Sequence, residues 1–384
     1  MPEQPRPDWD PRSASVQSDQ IGAYDTMRKR CPVAWSDYQQ WTLFRHADVM
    51  AALEDHETFS NAVSAHLSVP NGMDPPEHTP YRKIIEPYFS ADAVARFEPV
   101  CRNIARDLAT RLPREQSVNV VNQLSRPFAL HIQSAFMGWP ERLHKPLEEW
   151  VRKHHRATLA GDRSAMADIA REFDGYITEM LNARRQPGVP APDDVTSSLM
   201  QETVNGRRLS DPELVSLMRN WTVGELATIA AAVSILLNYL AHHPALLDEL
   251  KNNPDQLPAA IDEILRLDAP LISNRRVTTR AVTVGGRTIP AGERVTLLWA
   301  SANRDEAVFG EANTYCPHQN ADKNLLYGAG IHVCPGARLA RMELRVIMEE
   351  VLAQVQATAP DESQPPVRAR FPGGGFDQLN LRFR

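Results

Sequence analysis

The chain has 384 residues, of which 42% are hydrophobic and 23% are charged, a composition typical of a globular protein that buries a large core. Its formal net charge of −6 argues against a nucleic-acid partner. Four cysteines are too few for a disulfide framework at this length, and they indicate free thiols in a reducing compartment.

Two segments bear on membrane association. Residues 1–20 are polar and rich in proline, so we predict them to be disordered and to form neither a signal peptide nor an anchor. The longest uncharged apolar run, residues 226–241, spans about 16 residues, fewer than the roughly 20 needed to cross a bilayer. It predicts a helix that is buried on all sides, and we expect a cytoplasmic protein that binds no membrane.

The hydrophobic patterns predict mostly helices in the first two thirds of the chain and a mixture of short strands and helices after them. Ser210 and Asp211 supply cap residues for the long apolar helix. The predicted segments, in chain order, are a hairpin in 32–44, a helix at 46–55, a loop at 60–76, helices over 81–243 interrupted by a linker at 186–194, a helix at 257–267, strands over 275–300, an irregular stretch at 303–333, a helix at 335–357 and a strand at 379–383. The fold class is mainly α with a minor β-sheet region.

A glycine-rich loop delivers one cysteine to the start of the last helix. Residues 327–336 read Y-G-A-G-I-H-V-C-P-G, with Cys334 directly before the helix. Unpaired backbone N–H groups and the positive end of the helix dipole favour a thiolate at that position, so we expect a lowered pKa for the Cys334 thiol. Glycines let a backbone lie close against a large flat group such as a macrocycle.

Three interpretations of this loop stay open on spacing alone. The cysteine can be an ordinary buried residue beside a glycine turn. It can belong to a zinc site formed by Cys316, His318, His332 and Cys334, although these gaps differ from the usual zinc spacings. The third interpretation is a haem whose iron is bound by the thiolate.

Four ordered motifs resemble the cytochrome P450 family. The loop at 327–336 is similar to the family's cysteine-ligand loop, whose first residue is usually Phe rather than Tyr. Residues 263–266 (E-I-L-R) resemble its E-x-x-R helix, and residues 74–82 (D-P-P-E-H-T-P-Y-R) resemble its D-P-P-E-H-x-x-x-R. N-R-D at 303–305 and F-G at 309–310 follow in the expected order. The resemblance covers nearly the whole chain and implies a single large triangular haem domain over residues 21–384.

The resemblance also implies the roles of individual residues. The cofactor is expected to be haem b, iron protoporphyrin IX, with Cys334 as its thiolate ligand. Arg276 is preferred to Arg275 as a propionate ligand because Gly285-Gly286 lies at the usual distance beyond it. Glu263 and Arg266 are expected to be structural. Six residues are expected to bind the cofactor, four of them through its propionates: His78, Arg82, Arg276 and His332, and also Gly330 and Gly336.

The chain departs from the family in two loops. The family's third partner for the Glu–Arg pair is an arginine, and Gln319 stands in its place, so His318 and Asn320 are the candidates to replace it. Residues 61–74 form a shorter loop than usual, which predicts that the small helix above the substrate pocket is missing and that the distal side is more open.

The central helix departs as well. The family usually has an acid followed by an alcohol, and here Ala227 precedes Thr228. Glu225 lies one helical turn before Thr228, so the two are predicted to share a face and to act together as catalytic residues. The candidate pocket residues form a mixed, mostly apolar set that suits small aromatic or aliphatic molecules: Trp221, Thr222, Leu271, Ile272, Ser273 and Phe376.

The function implied by the resemblance is that of a monooxygenase, an oxidoreductase that inserts one atom of O₂ into a small organic substrate by hydroxylation or by O- or N-dealkylation. Its electrons are expected to come from NAD(P)H through a ferredoxin and its reductase or through a reductase domain, which would dock near Lys83, Arg338 and Arg341. Two alternatives stay open. One is an enzyme of another type, a peroxide-driven peroxygenase or an isomerase, and the other is a non-catalytic haem-based ligand sensor.

Overall fold

In a computed structural model, the described residues are 6–64, 66–160, 162–188, 190–371 and 373–384. Within these ranges helices dominate and the strands are short, as the sequence predicts. The helices are α1 (Ala14–Ser18), α2 (Gln20–Arg30), α3 (His46–Glu54), α4 (His78–Ile85), α5 (Ala91–Thr110), α6 (Arg126–Met137), α7 (His144–Ala160), α8 (Arg163–Arg184), α9 (Val195–Leu199), α10 (Asp211–His242), α11 (Pro244–Asn252), α12 (Leu257–Leu267), α13 (Trp299–Ala302), α14 (Glu306–Phe309) and α15 (Ala337–Gln354).

The strands form one five-stranded sheet and several smaller ones. The main sheet has the order β1-β2-β10-β7-β3, a second sheet has the order β11-β14-β4, and the remaining strands pair as β5-β6, β8-β9 and β12-β13. The strands are β1 (Val33–Ser36), β2 (Gln40–Leu43), β3 (Phe59–Ser60), β4 (Ser117–Asn119), β5 (Thr203–Val204), β6 (Arg207–Arg208), β7 (Asn274–Thr278), β8 (Val282–Val284), β9 (Arg287–Ile289), β10 (Arg294–Leu297), β11 (Thr358–Pro360), β12 (Val367–Arg368), β13 (Phe376–Gln378) and β14 (Asn380–Phe383).

Helix α10 forms the centre of the helical layer. It begins with the predicted cap, where a Glu213 carboxylate oxygen accepts a hydrogen bond from the Ser210 backbone N–H at 2.7 Å. It packs against α6, α8, α12 and α15. Of the described helices it is the one long and apolar enough to cross a bilayer, and more than half of its apolar window is buried inside the protein. It is therefore a core helix, as the sequence predicts.

The N-terminal segment differs from its predicted disorder over its described part, residues 6–20. Helix α1 forms there, and the Trp9 ring packs 5.2 Å from Phe44 and 6.2 Å from Tyr24, centroid to centroid. The Asp8 backbone N–H also donates to the Trp35 carbonyl at 2.9 Å. These apolar and backbone contacts hold the segment against the domain, and residues 1–5 lie outside the described residues.

The buried Glu263–Arg266 pair organises the segment that precedes the cysteine loop. The Arg266 guanidinium donates to both Glu263 carboxylate oxygens at 2.7 and 2.9 Å, and the two side chains are 3% and 5% exposed. Arg266 also donates to the carbonyls of Asn303, at 2.7 Å, and Ala312, at 3.0 Å. Glu263 accepts the Cys316 backbone N–H at 2.8 Å. These bonds tie α12 to residues that have little regular structure of their own.

The expectation that His318 or Asn320 replaces the missing arginine is wrong. The Asn320 amide donates to the Val308 carbonyl at 2.7 Å instead, and the described contacts of Glu263 include none with His318. Backbone groups complete the hydrogen bonding of the pair, because the chain at 303–316 wraps around it. Because these partners are backbone groups, the identities of the side chains at 318–320 do not reveal what replaces the missing arginine.

Replacing Arg266 with Ala should destabilise the protein strongly, because it leaves the Glu263 carboxylate buried without its partner. We expect a loss of about 3–5 kcal/mol in the free energy of unfolding, measured by denaturant titration. Arg111→Ala is the control, since it breaks an exposed bridge to Asp107 on α5 and should cost at most about 1 kcal/mol. Similar losses in the two variants would show that the buried pair is not an anchor.

Candidate active site

The cysteine loop is shaped by backbone contacts. The Cys334 N–H donates to the Tyr327 carbonyl at 2.9 Å, which closes the loop on itself. Gly330 has a φ of +68°, and a Cβ there would lie 2.3 Å from the Leu53 carbonyl oxygen of α3. This position therefore requires glycine because of α3, and the cofactor contact predicted for Gly330 is not needed to explain it. A Cβ on Gly336 would lie 4.0 Å from the Cys334 sulfur.

The Cys334 thiol is accessible and lies just before α15. The expectation of a lowered pKa is wrong for the free thiol, because the protein atoms packed around its sulfur disfavour the thiolate and raise the pKa, although the residue keeps an exposed surface. The Gly336 N–H and the charges of Arg82 and Arg341 oppose that effect, and the Glu225 carboxylate adds to it. A bound metal cation reverses the balance by favouring the thiolate directly.

The zinc interpretation lacks its ligand set. Among the residues that the structure describes, no group of three or more His, Cys, Asp or Glu side chains is arranged to hold a metal ion. Cys316, His318 and His332 are described residues, and they do not form such a group with Cys334.

A cluster of basic side chains, His78, His332 and Arg276, lies beside the loop. The rings of His78 and His332 are 4.5 Å apart, and Arg276 is 3% exposed. The Nε2 atoms of both histidines are buried with no hydrogen-bond partner, and the nearest carboxylate, Asp74, lies 3.9 Å from Nε2 of His332. Burial and the neighbouring cations lower the pKa of His332 to about 3, lower that of His78, and lower that of Arg276 to about 10. The cluster is therefore short of negative charge.

Arg82 and Arg275 have different surroundings. Arg82 donates to the Val333 carbonyl at 2.8 Å and to the Glu86 carboxylate at 2.9 Å, so it braces the cysteine loop at the edge of the cluster. Arg275 is adjacent to Arg276 on β7, where successive side chains point to opposite faces. Its charge interacts with Tyr38 and Arg294 rather than with the histidines. The strand thus brings Arg276, and not Arg275, to the cluster.

Helix α10 has a solvent-accessible strip on its surface next to Thr228, the predicted catalytic alcohol. Gly224 and Ala227 are exposed although the helix is a core element, and the Thr228 hydroxyl donates to the Gly224 carbonyl at 2.5 Å. Oε1 of Glu225 is buried with no hydrogen-bond partner, and Glu225 is close enough to the buried Glu343 of α15 for the charge of Glu225 to raise the pKa of Glu343. Burial raises the pKa of Glu225 to about 7. Glu225 and Thr228 are therefore one turn apart, and Glu343 is a buried acid near Glu225 that the sequence analysis missed.

Glu343 carried a recognisable signal in the sequence. It lies on the apolar stripe of α15, beside Leu339, Met342 and Ile347, all of which are buried. An acidic residue on such a stripe is unusual enough to mark a site, because carboxylates are rarely buried without a partner.

Three of the predicted pocket residues contact other side chains of the protein. Thr222 is fully buried, and its hydroxyl accepts a hydrogen bond from the Gln133 amide of α6 at 3.0 Å. The Trp221 ring packs 4.9 Å from Phe89 in an aromatic cluster. Ile272 is buried in a core cluster with Tyr24. The helix rotates about 100° per residue and the strand alternates, so neighbours in sequence point in different directions.

The other predicted pocket residues differ in exposure. Leu271 is 40% exposed and Ser273 is half-buried, whereas Phe376 is buried in the main core beneath the Arg368 guanidinium. The loop above them has no helix in its described residues, 61–64 and 66–77, as predicted. The loop is held to α10, because the Val69 N–H donates to the Ser216 hydroxyl at 2.8 Å.

Comparisons with known proteins cover nearly the whole chain. Residues 44–381 match the family described as Cytochrome P450. The cyclomarin C epoxidase CymV of Salinispora arenicola is 33% identical over 80% of this chain and 82% of its own length. The erythromycin C-12 hydroxylase of Saccharopolyspora erythraea is 31% identical over 94% of this chain and 91% of its own length. A mutant of P450 EryK in complex with erythromycin B superposes with a TM-score of 0.86 at 28% identity, covering 95% of this chain and 96% of that one.

The basic cluster and the cysteine fit a haem. A haem carries two propionate carboxylates, which the buried Nε2 atoms of His78 and His332 and the Arg276 guanidinium are suited to bind. Carboxylates at this point would supply the negative charge that the cluster lacks. Cys334 is exposed and lies two residues after His332, so the expected iron ligand and one expected propionate ligand belong to the same loop.

Replacing Arg276 with Ala should lower haem retention, because a charge-assisted contact of this kind contributes roughly 1.5–3 kcal/mol. The measurement is the ratio of Soret absorbance to protein after purification, together with the rate of haem transfer to an acceptor protein. Arg275→Ala is the matched control from the adjacent position and should retain haem like the wild type. Equal retention in both variants would remove Arg276 from the propionate site.

Proposed function

Since the chain belongs to the cytochrome P450 family, we propose that it inserts one oxygen atom into a small organic substrate, by hydroxylation or by O- or N-dealkylation. The chain is a haem-dependent monooxygenase, an oxidoreductase that uses O₂ and receives electrons from redox partners. The hydroxylase name of one relative supports hydroxylation.

We assign the iron ligand to Cys334. The observation that carries this assignment is the pairing of an accessible sulfur at the start of α15 with buried, unpartnered nitrogens on His78 and His332. When bound, a haem with a thiolate ligand supplies O₂ activation, because the thiolate favours cleavage of the O–O bond. Arg276 and the two histidines would hold the propionates, and Arg82 would fix the loop that carries the ligand.

Thr228 and Glu225 are proposed to handle protons. The Thr228 hydroxyl lies on the accessible strip of α10, where it is bonded to the Gly224 carbonyl and remains able to accept a proton. Glu225 lies one turn earlier and is protonated in part at neutral pH, since burial raises its pKa to about 7. Oγ1 of Thr228 would act as a relay that takes up a proton from the Glu225 carboxyl and releases its own hydroxyl proton on the substrate side, while Ala227 contributes no acid.

The substrate is proposed to bind beside this strip, with Leu271 and Ser273 as contacts. Leu271 is exposed and Ser273 half-buried, which suits an apolar molecule that carries a polar group. The short loop over residues 61–74 would leave room above it. The relatives are named for cyclomarin C epoxidation and erythromycin hydroxylation, and they support an organic substrate without fixing its identity.

The electron donors are proposed to be a separate ferredoxin and its reductase, or a reductase domain. Lys83, Arg338 and Arg341 are exposed near the cysteine loop and would face an acidic partner, although Arg341 is also paired with Asp262 at 2.9 Å. We further propose that residues 21–384 form one haem domain and that it acts in the cytoplasm. One continuous hydrophobic cluster that joins α4 to β14 supports a single domain.

A second candidate function is peroxide-driven oxygenation. The observation that favours it is Ala227 in the usual place of the acid, with a partly protonated carboxyl on Glu225 near the same helix turn. The test is to supply H₂O₂ without any redox partner. If product then forms at the rate reached with NAD(P)H and the redox partners, this candidate is supported over the first.

The ferrous protein with carbon monoxide should show the red-shifted Soret band of a thiolate-ligated haem. Cys334→His should move that band to the position typical of histidine ligation, because it replaces the sulfur donor. Cys316→Ser is the control from the preceding segment and should leave the band unchanged. A wild-type band at the histidine position, or a shift caused by the Cys316 variant, would contradict the assignment.

Thr228→Ala should divert electrons from product into hydrogen peroxide, and Glu225→Gln should lower product formation by about 10²–10⁴-fold, the usual contribution of a positioned acid. The measurement is product and peroxide formed per NAD(P)H consumed, at saturating substrate. Thr222→Ala, six residues earlier and bonded to α6, should lower stability without changing this ratio. Wild-type coupling in the Glu225 variant would leave that carboxyl with a structural role only.

A further inference from the structure

Helix α4 carries two side chains of the candidate haem site. His78 and Arg82 lie one turn apart on this helix and therefore share one of its faces. Nε2 of His78 is a buried atom with no hydrogen-bond partner, and it is suited to bind a propionate. Arg82 donates at 2.8 Å to the carbonyl of Val333, the residue directly before Cys334. The orientation of this short helix therefore decides where both side chains point.

One side chain of α4 binds the central helix. In the part of the chain that the structure describes, two side chains of α4 form hydrogen bonds to other elements: Arg82, to the cysteine loop, and Tyr81, to α10. The Tyr81 ring is buried, and its hydroxyl donates to Oε1 of Glu213. Successive residues of a helix are rotated by about 100°, so Tyr81 projects beside the face that carries His78 and Arg82. The phenol therefore fixes the rotation of α4 about its own axis.

Glu213 is itself held in place by several other donors. Its Oε2 atom accepts hydrogen bonds from the backbone N–H and from the hydroxyl of Ser210, both at 2.7 Å. Arg207 of β6 donates to Oε1 at 2.7 Å and to Oε2 at 2.8 Å. These hydrogen bonds, and that from Arg207 above all, hold the pKa of Glu213 well below its ordinary value although the residue is buried. Tyr81 is thus bonded to an ionised carboxylate that other groups keep in position.

We propose that Tyr81 and Glu213 are positioning residues for the haem. Their hydrogen bond fixes α4 so that His78 meets a propionate and Arg82 keeps its bond to the cysteine loop. This inference rests on the haem site proposed above and adds the groups that orient two of its side chains. Tyr81 and Glu213 act through His78 and Arg82, so their effect is on the retention and the electronic state of the haem rather than on a chemical step.

Haem transfer from the loaded protein to an acceptor protein tests the proposal without turnover. Tyr81→Phe keeps the ring and removes one donor, while Glu213 keeps its bonds from Arg207 and Ser210. The rate of haem transfer should rise about tenfold, since the loss of a group that orients a metal ligand lowers metal affinity by about 10–100-fold. A wild-type rate in this variant would overturn the proposal.

Tyr176→Phe is the matched control for the loss of a buried tyrosine hydroxyl bond. The Tyr176 hydroxyl donates to Glu172 of the same helix at 2.7 Å, and Glu172 also pairs with Lys153 at 3.0 Å. This arrangement of tyrosine, carboxylate and cation lies on α7 and α8, away from α4, so the variant should transfer haem at the wild-type rate. Equal acceleration in the two variants would overturn the proposal.

The midpoint potential of the loaded protein provides a second readout, which a merely structural bond would not change. A propionate that loses a hydrogen-bond donor keeps more negative charge near the iron, and this charge favours the ferric state. Tyr81→Phe should therefore lower the midpoint potential, whereas Tyr176→Phe should leave it at the wild-type value. If Tyr81→Phe lowers the free energy of unfolding but changes neither the potential nor the transfer rate, the bond is structural only and the proposal is wrong.

A double-mutant cycle shows whether Glu213 acts through Tyr81. Glu213→Gln should also speed up haem transfer, because a neutral amide oxygen is a weaker acceptor for the phenol than a carboxylate. In the Tyr81→Phe background the same change should have no further effect on the transfer rate, since both variants remove one interaction. Effects on the transfer rate that multiply in the double variant would overturn the proposal.

Arg276→Ala separates this inference from the haem site on which it rests. If Arg276→Ala speeds up haem transfer and Tyr81→Phe does not, the propionate site stands and the positioning role of Tyr81 and Glu213 is wrong. If neither variant speeds it up, the propionate site and the positioning role are both wrong. Faster transfer in both variants, with a lowered potential in Tyr81→Phe, supports both.

Discussion

Residues 303–333 contain little regular structure, and the buried Glu263–Arg266 pair supplies many of the hydrogen bonds that hold their first half in place. An irregular segment cannot satisfy its own backbone groups, so carbonyls such as those of Asn303 and Ala312 need donors from elsewhere. One guanidinium provides several donors in fixed directions, and its charge is neutralised by Glu263 on the same helix face. The cysteine loop continues from this segment, so the position of Cys334 depends on an ion pair that takes no part in chemistry.

The regular elements could be predicted from the sequence because each has a local signal. Helix α12 was predicted with its bounds, the cap at Ser210 forms as expected, and the hairpin in 32–44 appears as β1 and β2. The orientation of α10 could not be predicted. Its residues are apolar on nearly every side, so the pattern gives no indication that Thr222 faces α6 while Ala227 is exposed. The same limit applies to the Arg266 contacts, because backbone carbonyls leave no trace in the sequence.

The site combines two opposite electrostatic environments. His78, His332 and Arg276 form a buried cluster in which neutral imidazoles are favoured until a carboxylate arrives. Burial raises the pKa of Glu225 and of Glu343, so a neutral carboxyl is favoured at these positions because of the cost of unpaired charge in an apolar interior. In both environments burial has the largest effect on the pKa, and neighbouring charges of the same sign add to it at His332 and at Glu343.

The position of the acid on α10 has a physical consequence. A carboxyl at position 227 would point along the accessible strip, where water keeps the pKa of a glutamate near its ordinary value. Two residues earlier, burial raises the pKa of the Glu225 carboxyl to about 7, so this acid is protonated in part at neutral pH. An acid at position 225 rather than 227 therefore places a carboxyl with a raised pKa one helical turn before Thr228.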